Sequence, residues 1–334
     1  MFFKNKKILV IGGTGTIGKN IVKHLLREEP DVIRILSRDE YKQFNLKNEF
    51  NNDSRLRFLI GDIRNYERVL SAMEDIDYVF HTAAMKHVEF CEYNPFEAVL
   101  TNVIGTYNVI SAAKNQNVKK VVFTSTDKAI SPTNNYGATK LTAEKLISSA
   151  EYSKGSKSTI FSSVRFGNVI GSRGSVIPLF IKQVKEKNFV NVTDLSMTRF
   201  MMTLEQATKL TIESLKIAQG GETFILKMPV INLKDLAEII IEETTCKFGI
   251  DRKNIKINEI GLKPGEKKYE ELMTYEESLV AFELPDLYII PSFFSSTKVY
   301  EGANKTKPGT YSSEGQIHLN KEQVREIILQ ENLI

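Results

Sequence analysis

Four side chains between residues 127 and 140 could exchange protons with a bound substrate. Asp127 and Lys128 follow an apolar run that ends in Ser and Thr, and Tyr136 and Lys140 lie four positions apart. On a helix that spacing places the last two on one face. An ammonium near a phenol stabilises the phenolate, so we expect Lys140 to lower the pKa of Tyr136 from about 10. Such a phenolate can take a hydroxyl proton while hydride leaves the same carbon.

A glycine-rich segment near the start of the chain indicates what would accept that hydride. Gly12, Gly15 and Gly18 are spaced by three, directly after the apolar run KILVIG and at the start of a helix candidate. Such glycines permit a tight turn, a close approach of the backbone to a pyrophosphate and close helix–strand packing. The helix N-terminus then supplies free N–H groups to the phosphates. A purely structural turn is the alternative, and the strand before and helix after it favour a dinucleotide site.

The first half of the chain alternates short Val- and Ile-rich runs with amphipathic segments. The predicted strands are 7–12, 32–37, 57–62, 77–83, 120–125 and 159–167, and the predicted helices are 17–29, 65–74, 95–114 and 136–151. Strands that alternate with helices of this length form βαβ units and a parallel sheet covered on both faces. The pattern predicts an α/β fold with a Rossmann-type, doubly wound parallel sheet.

After residue 168 the alternation loosens. We expect helices at 175–187, 203–221 and 232–245, strands at 189–194 and 222–228, and an irregular arm at 292–318. The strand at 222–228 could rejoin the first sheet. The predicted organisation is a dinucleotide-binding domain over 1–167, rejoined by 198–228, and a smaller interleaved substrate domain over 168–334 that includes the C-terminal arm.

Composition excludes several other classes. The net charge of +4 over 334 residues, without a basic block interleaved with aromatics, does not indicate a nucleic-acid partner. No apolar run approaches the roughly 18–20 residues that span a bilayer, and the N-terminal run is too short for a signal peptide. Two isolated cysteines argue against a disulfide framework or a zinc site, so we expect no metal and a cytoplasmic protein.

The end of the second predicted strand bears on the choice of dinucleotide. An NAD site usually places an acidic residue there, whereas Ser37 and Arg38 come first in this chain. A guanidinium suits a 2′-phosphate, which favours NADP. Asp39 and Lys42 follow closely, so NAD stays open. Asp62, after the third strand, could accept a hydrogen bond from the adenine amino group or could be an ordinary loop aspartate.

Longer motifs resemble a known family. GGTGTIG, HTAA and YGATK resemble the extended short-chain dehydrogenase/reductase family. STDKAISPTNNYGATK, VRFGNVIGSRGSVIPLF, TDLSMTRFMMTLEQA and GLKPGEKKYEEL resemble its inverting UDP-N-acetylglucosamine 4,6-dehydratases, and the resemblance extends to YSSEG at 311–315. Sugar-nucleotide 4,6-dehydratases commonly have Asp-Glu where this chain has Asp127 and Lys128. The resemblance therefore implies a dehydratase that opens pseudaminic acid or related deoxy-amino-sugar pathways.

The resemblance also implies roles. Tyr136 and NADP would oxidise C4, Lys128 would remove the C5 proton, and Asp127 would protonate the departing C6 hydroxyl. Return of hydride to C6 and of a proton to the opposite face of C5 would give the L-configured product. A lysine base must be neutral, so we expect burial or the Lys140 charge to lower the pKa of Lys128. A surface ion pair between Asp127 and Lys128 is the plain alternative.

The remaining implied contacts involve three groups of residues. The catalytic set is Thr126, Asp127, Lys128, Tyr136 and Lys140. The cofactor set, besides Tyr136 and Lys140, is Gly12, Thr14, Gly15, Thr16, Ile17, Gly18, Ser37, Arg38, Asp39, Lys42, Asp62, Ile63, Ala83, Ala84, Lys86 and Asn102. The substrate set is Met85, Lys86, His87, Asn168, Arg173, Val176, Pro178, Thr193, Met197, Arg199 and Glu266. The family also implies a homo-oligomer, either a dimer or a hexamer.

Other functions share parts of this pattern. A UDP-sugar 4-epimerase has the same fold, cofactor and Tyr/Lys pair but releases no water. A dehydratase that retains the C5 configuration differs only in the stereochemistry of its product. A non-catalytic NADP-binding regulator usually has a damaged Tyr or Lys, and both Tyr136 and Lys140 are present here.

Overall fold

The computed structural model describes residues 1–172, 174–292, 299–331 and 333–334. Its strands are β1 (Lys7–Ile11), β2 (Val32–Ser37), β3 (Leu56–Ile60), β4 (Tyr78–His81), β5 (Lys120–Thr124), β6 (Ile160–Arg165), β7 (Asn168–Val169), β8 (Phe189–Val192), β9 (Thr198–Met202), β10 (Thr223–Leu226), β11 (Val230–Asn232), β12 (Lys256–Glu259), β13 (Glu271–Met273), β14 (Phe282–Glu283), β15 (Leu287–Ile290), β16 (Asn304–Lys305) and β17 (Tyr311–Ser312).

The α-helices in the same part of the chain are α1 (Thr16–Leu26), α2 (Glu40–Glu49), α3 (Tyr66–Ala72), α4 (Val88–Tyr93), α5 (Pro95–Ala98), α6 (Gly105–Asn115), α7 (Asn135–Ser153), α8 (Val176–Lys187), α9 (Leu204–Ile217), α10 (Leu233–Phe248), α11 (Tyr275–Val280) and α12 (Lys321–Gln330). A π-helical turn (Val99–Ile104) joins α5 to α6, and 3₁₀ turns lie at Asp127–Ala129 and Arg252–Asn254. The π turn interrupts the single helix expected at 95–114.

The central sheet confirms the predicted fold class. Its order is β16-β14-β15-β10-β6-β5-β4-β1-β2-β3, and the seven strands from β10 to β3 run parallel. The order 3-2-1-4-5-6 is that of a doubly wound Rossmann fold. Beyond β10 the sheet continues with β15, which is antiparallel to β10, and then with β14, which is antiparallel to β15. Ligands in such folds bind beyond the carboxyl ends of the parallel strands.

Helices cover both faces of this sheet because alternate strand residues are apolar on each side. Val10 packs in one buried cluster with Ile21 of α1 and Leu215 of α9. Leu9 packs in the opposite cluster with Val109 of α6 and Ile147 of α7. Successive side chains of a strand point to opposite faces, so near-continuous apolar runs are what a doubly covered strand requires.

A third buried cluster lies away from the large sheet. It joins α8, α10 and α12 through side chains such as Phe180, Ile240 and Ile328. β9 pairs with β7 and β11 in a separate sheet, whereas β10 pairs with β6 in the central one. The domain boundaries stay a prediction. The arm at 292–318 contains β16 and β17, and its residues 293–298 lie outside the described chain. Among the described residues, no helix is both long and apolar enough to cross a membrane.

Candidate active site

A cleft of about 840 Å³ opens along the carboxyl ends of the parallel strands. The predicted residues that line it are Gly12, Thr14, Gly15, Thr16, Ile17, Gly18, Ser37, Arg38, Asp39, Lys42, Asp62, Ile63, Ala83, Ala84, Met85, Lys86, His87, Thr126, Asp127, Lys128, Tyr136 and Asn168. Predicted residues that do not line it are Asn102, Lys140, Val176, Pro178, Thr193, Met197, Arg199 and Glu266. Arg173 lies outside the described residues.

The glycine loop at one end of the cleft fits a dinucleotide. Gly12 has φ +82°, and a Cβ there would lie 2.8 Å from the backbone nitrogen of Ala83. A Cβ on Gly18 would lie 2.5 Å from the carbonyl oxygen of Gly12. Gly15 is the N-cap of α1 and no side chain caps the helix. The first N–H groups of α1 therefore have no side-chain acceptor, which suits a pyrophosphate.

Charged side chains surround the end of β2, where an adenosine ribose would lie. Asp39 caps α2 by accepting from the backbone N–H of Lys42 at 2.9 Å, and its carboxylate also pairs with the Lys42 ammonium. Arg38 has a side chain that is 60% exposed and lies 3.7 Å from the carboxylate of Asp62. Arg64 pairs with the same carboxylate at 2.7 Å. The Arg38 guanidinium thus remains largely accessible at the cleft.

Tyr136 and Lys140 begin the catalytic-helix candidate α7, which starts at an Asn134 cap. Asn134 accepts from the Gly137 N–H at 2.8 Å. Removal from water raises the pKa of Tyr136 to about 12, although a hydrogen bond with Thr126 opposes the shift. The Lys140 ammonium donates to the Thr124 carbonyl oxygen at 2.6 Å, and burial lowers the pKa of Lys140 to about 7. The expected lowering of the Tyr136 pKa by Lys140 is therefore wrong for this structure.

Lys128 lies between two buried carboxylates. Its Nζ is 3.1 Å from Asp127 Oδ1 and 3.2 Å from Glu270 Oε1. Burial lowers the pKa of Lys128, but the two negative charges outweigh burial and raise the pKa above its ordinary value. The expectation of a neutral Lys128 is wrong for the resting protein, because the charges of Asp127 and Glu270 outweigh burial and the opposing charge of Arg199.

Glu270 is the site residue that sequence reasoning missed. It lies in GLKPGEKKYEEL just before β13, and its side chain is 4% exposed. In this motif the predicted site residue is Glu266, whose carboxylate accepts from the Lys263 backbone N–H at 3.2 Å. The available signal was the pair of glutamates ahead of the apolar Leu272. Nothing in the local pattern indicates which of several acidic residues contacts Lys128.

Arg199 lies beside Glu270, and neither residue is part of the cleft lining. Its guanidinium donates to the carbonyl oxygens of Lys267 and Lys268 at 2.8 and 3.0 Å, and its Nε lies 3.9 Å from Glu270. Its neighbour Met197 is buried and its sulfur accepts from the Thr193 hydroxyl at 3.2 Å. In this structure Arg199 therefore holds the loop that carries Glu270.

Asn102 supports the cleft wall from the π turn. Its Oδ1 accepts from the Met85 N–H at 2.8 Å, and its Nδ2 donates to the Met85 carbonyl oxygen at 3.0 Å. The same Nδ2 donates to the Thr139 hydroxyl at 3.0 Å, which ties the segment after β4 to α7. π turns occur frequently at functional sites. Val176 and Pro178 lie in the first turn of α8, which directly follows Gly174 and Ser175 of the lining.

Several known proteins are similar to this chain over nearly its whole length. Residues 8–292 match the family described as polysaccharide biosynthesis protein. A Methanocaldococcus jannaschii protein, named an uncharacterized membrane protein, is 47% identical over 98% of this chain and 96% of its own. An inverting UDP-N-acetylglucosamine 4,6-dehydratase of Campylobacter jejuni is 40% identical over 98% of both chains. A UDP-glucose 4-epimerase of Rickettsia rickettsii is 39% identical over 98% and 96%.

Solved structures extend the comparison. Pen from Bacillus thuringiensis is 66% identical, with a TM-score of 0.94 over 100% of both chains. DesIV, a dTDP-glucose 4,6-dehydratase from Streptomyces venezuelae solved with NAD bound, is 22% identical, with a TM-score of 0.70 over 78% of this chain and 86% of its own. The second similarity shows the shared fold alone.

Proposed function

Since the chain belongs to the polysaccharide biosynthesis protein family, we propose that it removes water across C4–C6 of UDP-N-acetylglucosamine with inversion at C5. The observation that carries the proposal is the acid–amine pair beside the phenol. Asp127 and Lys128 line the same cleft as Tyr136, and a 4-epimerase needs no such pair. Dehydratase-named relatives at 40% identity support the same reaction.

A bound nicotinamide supplies hydride exchange at C4 and C6. The chain itself handles protons. Tyr136 receives the C4 hydroxyl proton in its phenolate form. Since burial raises the pKa of Tyr136 to about 12, the phenol must lose its own proton before it can take this one. Lys128, in its neutral form, removes the C5 proton that the 4-keto group acidifies. Asp127, once it has bound a proton, supplies that proton to the departing C6 hydroxyl and returns to the carboxylate. Because Lys128 carries a proton at rest, its use as a base requires a proton acceptor beside it.

NADP is the dinucleotide that the charge pattern favours. Arg38 follows β2 with a largely exposed guanidinium, whereas the carboxylate of Asp39 is engaged by Lys42. A guanidinium binds a 2′-phosphate through charge-assisted hydrogen bonds. Nucleotide exchange is unnecessary, since the hydride taken from C4 returns to C6 of the same sugar.

Incubation with UDP-N-acetylglucosamine tests the reaction directly. Mass spectrometry should show loss of one water from the nucleotide sugar, and NMR coupling constants of the product should show an inverted C5. Recovery of unaltered C6 hydroxyl with a changed C4 would contradict the proposal. Retained C5 configuration would contradict inversion alone.

The second candidate is a UDP-sugar 4-epimerase. The Rickettsia relative of that name is nearly as similar as the Campylobacter dehydratase. An epimerase would leave Asp127 and Lys128 without a step in the chemistry. The mass of the product separates the two reactions.

The proposal extends to the pathway that uses the product and to the oligomeric state. The product would enter pseudaminic acid or related deoxy-amino-sugar synthesis, and the protein would act as a homo-oligomer. The first part is tested by supplying the product to the next enzyme class, an aminotransferase acting on a 4-keto sugar. The second is tested by light scattering.

A further inference from the structure

We propose that Glu270 is a positioning residue that accepts a proton from Lys128 and so prepares the amine to act as a base. The proposal rests on the proposed function for its meaning in turnover. The effect of Glu270 on the protonation of Lys128 can be measured without any substrate.

The geometry places both groups within proton-transfer distance. Lys128 Nζ lies 3.2 Å from Glu270 Oε1 and 3.1 Å from Asp127 Oδ1. Asp127 is also held by the Thr126 hydroxyl, which donates to Oδ1 at 2.8 Å. Asp127 Oδ2 and Glu270 Oε2 are both buried and have no hydrogen-bond partner among the described residues, but no hydroxyl donates to the Glu270 carboxylate as that of Thr126 does to Asp127. One oxygen of Glu270 thus contacts the amine while its second oxygen has no donor that would keep it ionised.

The position of Glu270 is fixed by a distant part of the chain. The Glu270 N–H donates to the Ser313 hydroxyl at 3.0 Å, and the Ser313 N–H donates to the Glu270 carbonyl oxygen at 2.8 Å. The Ser313 hydroxyl also lies 2.9 Å from that of Thr198 on β9. The YSSEG motif, which has no other assigned contact with the site, therefore holds the backbone of Glu270 from both sides.

The surroundings of the pair make Glu270 a better proton acceptor than an exposed carboxylate. Burial raises the pKa of Glu270; the nearby Lys128 opposes that shift and Asp127 adds to it. Arg199, at 3.9 Å, opposes it as well. Tyr136 is the remaining titratable group that senses the Lys128 charge. A buried carboxylate whose pKa is raised, in contact with an amine that must lose a proton, is the nearby group suited to accept it.

The step moves one proton and no electrons. An N–H bond of the Lys128 ammonium breaks as an O–H bond forms on Glu270 Oε1. An ion pair thereby becomes a neutral amine beside a carboxylic acid. The free electron pair on Lys128 Nζ can then take the C5 proton of the sugar, which restores the ammonium. No co-reactant is needed for this balance.

Competitive acetylation of Lys128, followed by mass spectrometry across pH, tests the coupling in the protein without nucleotide sugar. Since a carboxylate beside an ammonium stabilises its proton, Glu270→Gln should move the labelling midpoint of Lys128 to lower pH by about one unit or more. Glu270→Asp should move it less. Glu271→Gln, one residue away, should leave it unchanged.

Turnover supplies the second measurement. At neutral pH kcat should fall about a hundredfold in Glu270→Gln, within the range for a lost proton-transfer partner. In Glu270→Gln, kcat should rise with pH in parallel with the fraction of neutral Lys128 that acetylation measures. In the wild type the two pH dependences should not coincide. Glu270→Asp should retain part of the neutral-pH rate.

Two results would overturn the inference. One is an unchanged labelling midpoint in both Glu270 variants. The other is a kcat reduced by the same factor at every pH, which is what a purely structural role produces. If Glu270→Gln does not fold, an unchanged midpoint and kcat in Glu270→Asp overturns it as well. A shifted midpoint in a protein that releases no water from UDP-N-acetylglucosamine would contradict only the proposed function.

Discussion

The guanidinium of Arg165 is hydrogen-bonded to the carboxylate of Glu144, one turn beyond Lys140 on α7. Arg165 Nε lies 3.2 Å from Glu144 Oε2, and Nη1 lies 3.0 Å from Glu277 Oε2 at the start of α11. Arg165 and Glu144 are both buried. The helix that carries Tyr136 and Lys140 is therefore joined by an ion triad to the last residue of β6 and to a segment far along the chain.

Truncation of this arginine should be strongly destabilising. Arg165→Met leaves Glu144 and Glu277 as buried or partly buried charges without their partner, which costs about 3–5 kcal/mol. Urea unfolding followed by circular dichroism measures the change. Adding Glu144→Gln to Arg165→Met should recover part of the loss. A single-variant loss below about 1 kcal/mol, as at exposed ion pairs, would show that the triad contributes little.

Removal of the Tyr136 hydroxyl should stop catalysis and preserve the fold. Tyr136→Phe deletes the group that receives the C4 hydroxyl proton, so kcat should fall about 10²–10⁴-fold. Product formation measured by mass spectrometry checks the rate, and thermal unfolding checks the fold. Tyr275→Phe, at an exposed tyrosine of α11, is the matched control. Wild-type turnover in the Tyr136 variant would overturn the hydride mechanism.

Replacement of Lys128 should separate oxidation from water loss. Lys128→Met removes the proposed C5 base but leaves Tyr136 in place, so C4 oxidation should still reduce the bound nicotinamide, visible by its absorbance. Dehydrated product should fall below detection. The carboxylates of Asp127 and Glu270 lose their partner in this variant, so its folded fraction must be measured alongside. Product formed at the wild-type rate would exclude Lys128 as the base.

The Arg38 guanidinium should decide between the two dinucleotides. Loss of a hydrogen bond to a charged group costs about 1.5–3 kcal/mol, so Arg38→Ala should weaken NADP binding about ten- to hundredfold. NAD binding should change little, because it has no 2′-phosphate. Titration calorimetry with each nucleotide measures both affinities. Arg27→Ala, at an exposed arginine outside the cleft lining, is the control. Equal losses for both nucleotides would argue against selection of NADP.

Lys140 should make folding stability depend on pH. Its pKa is about 7 in the folded chain and near its ordinary value of 10.5 when unfolded. Between about pH 7 and 10.5 the unfolded chain therefore binds more protons at this group, and its contribution to stability rises with pH. The stability difference between wild type and Lys140→Met, measured by urea unfolding, should grow in favour of the wild type over that window. A constant difference would show that Lys140 titrates normally.

Local patterns were enough to predict the framework of the site. The apolar run before Gly12, the helix after it and the Tyr136–Lys140 spacing each depend on residues close in sequence. The fold class is confirmed, and the family resemblance agrees with the dehydratase-named relatives. Segments without strong periodicity, such as the π turn at Val99–Ile104 and the short helix α4, were not predicted.

By itself the sequence determined which chemical groups are present: a glycine loop, a phenol, and the adjacent acid and amine of Asp127 and Lys128. Only the tertiary structure determined the protonation of the phenol and of the amine. Glu270 lies 142 positions after Lys128 in the chain, yet packing brings their side chains to 3.2 Å. The protonation of an amine depends on the charges and water around it, and those come from segments that meet only when the chain is folded.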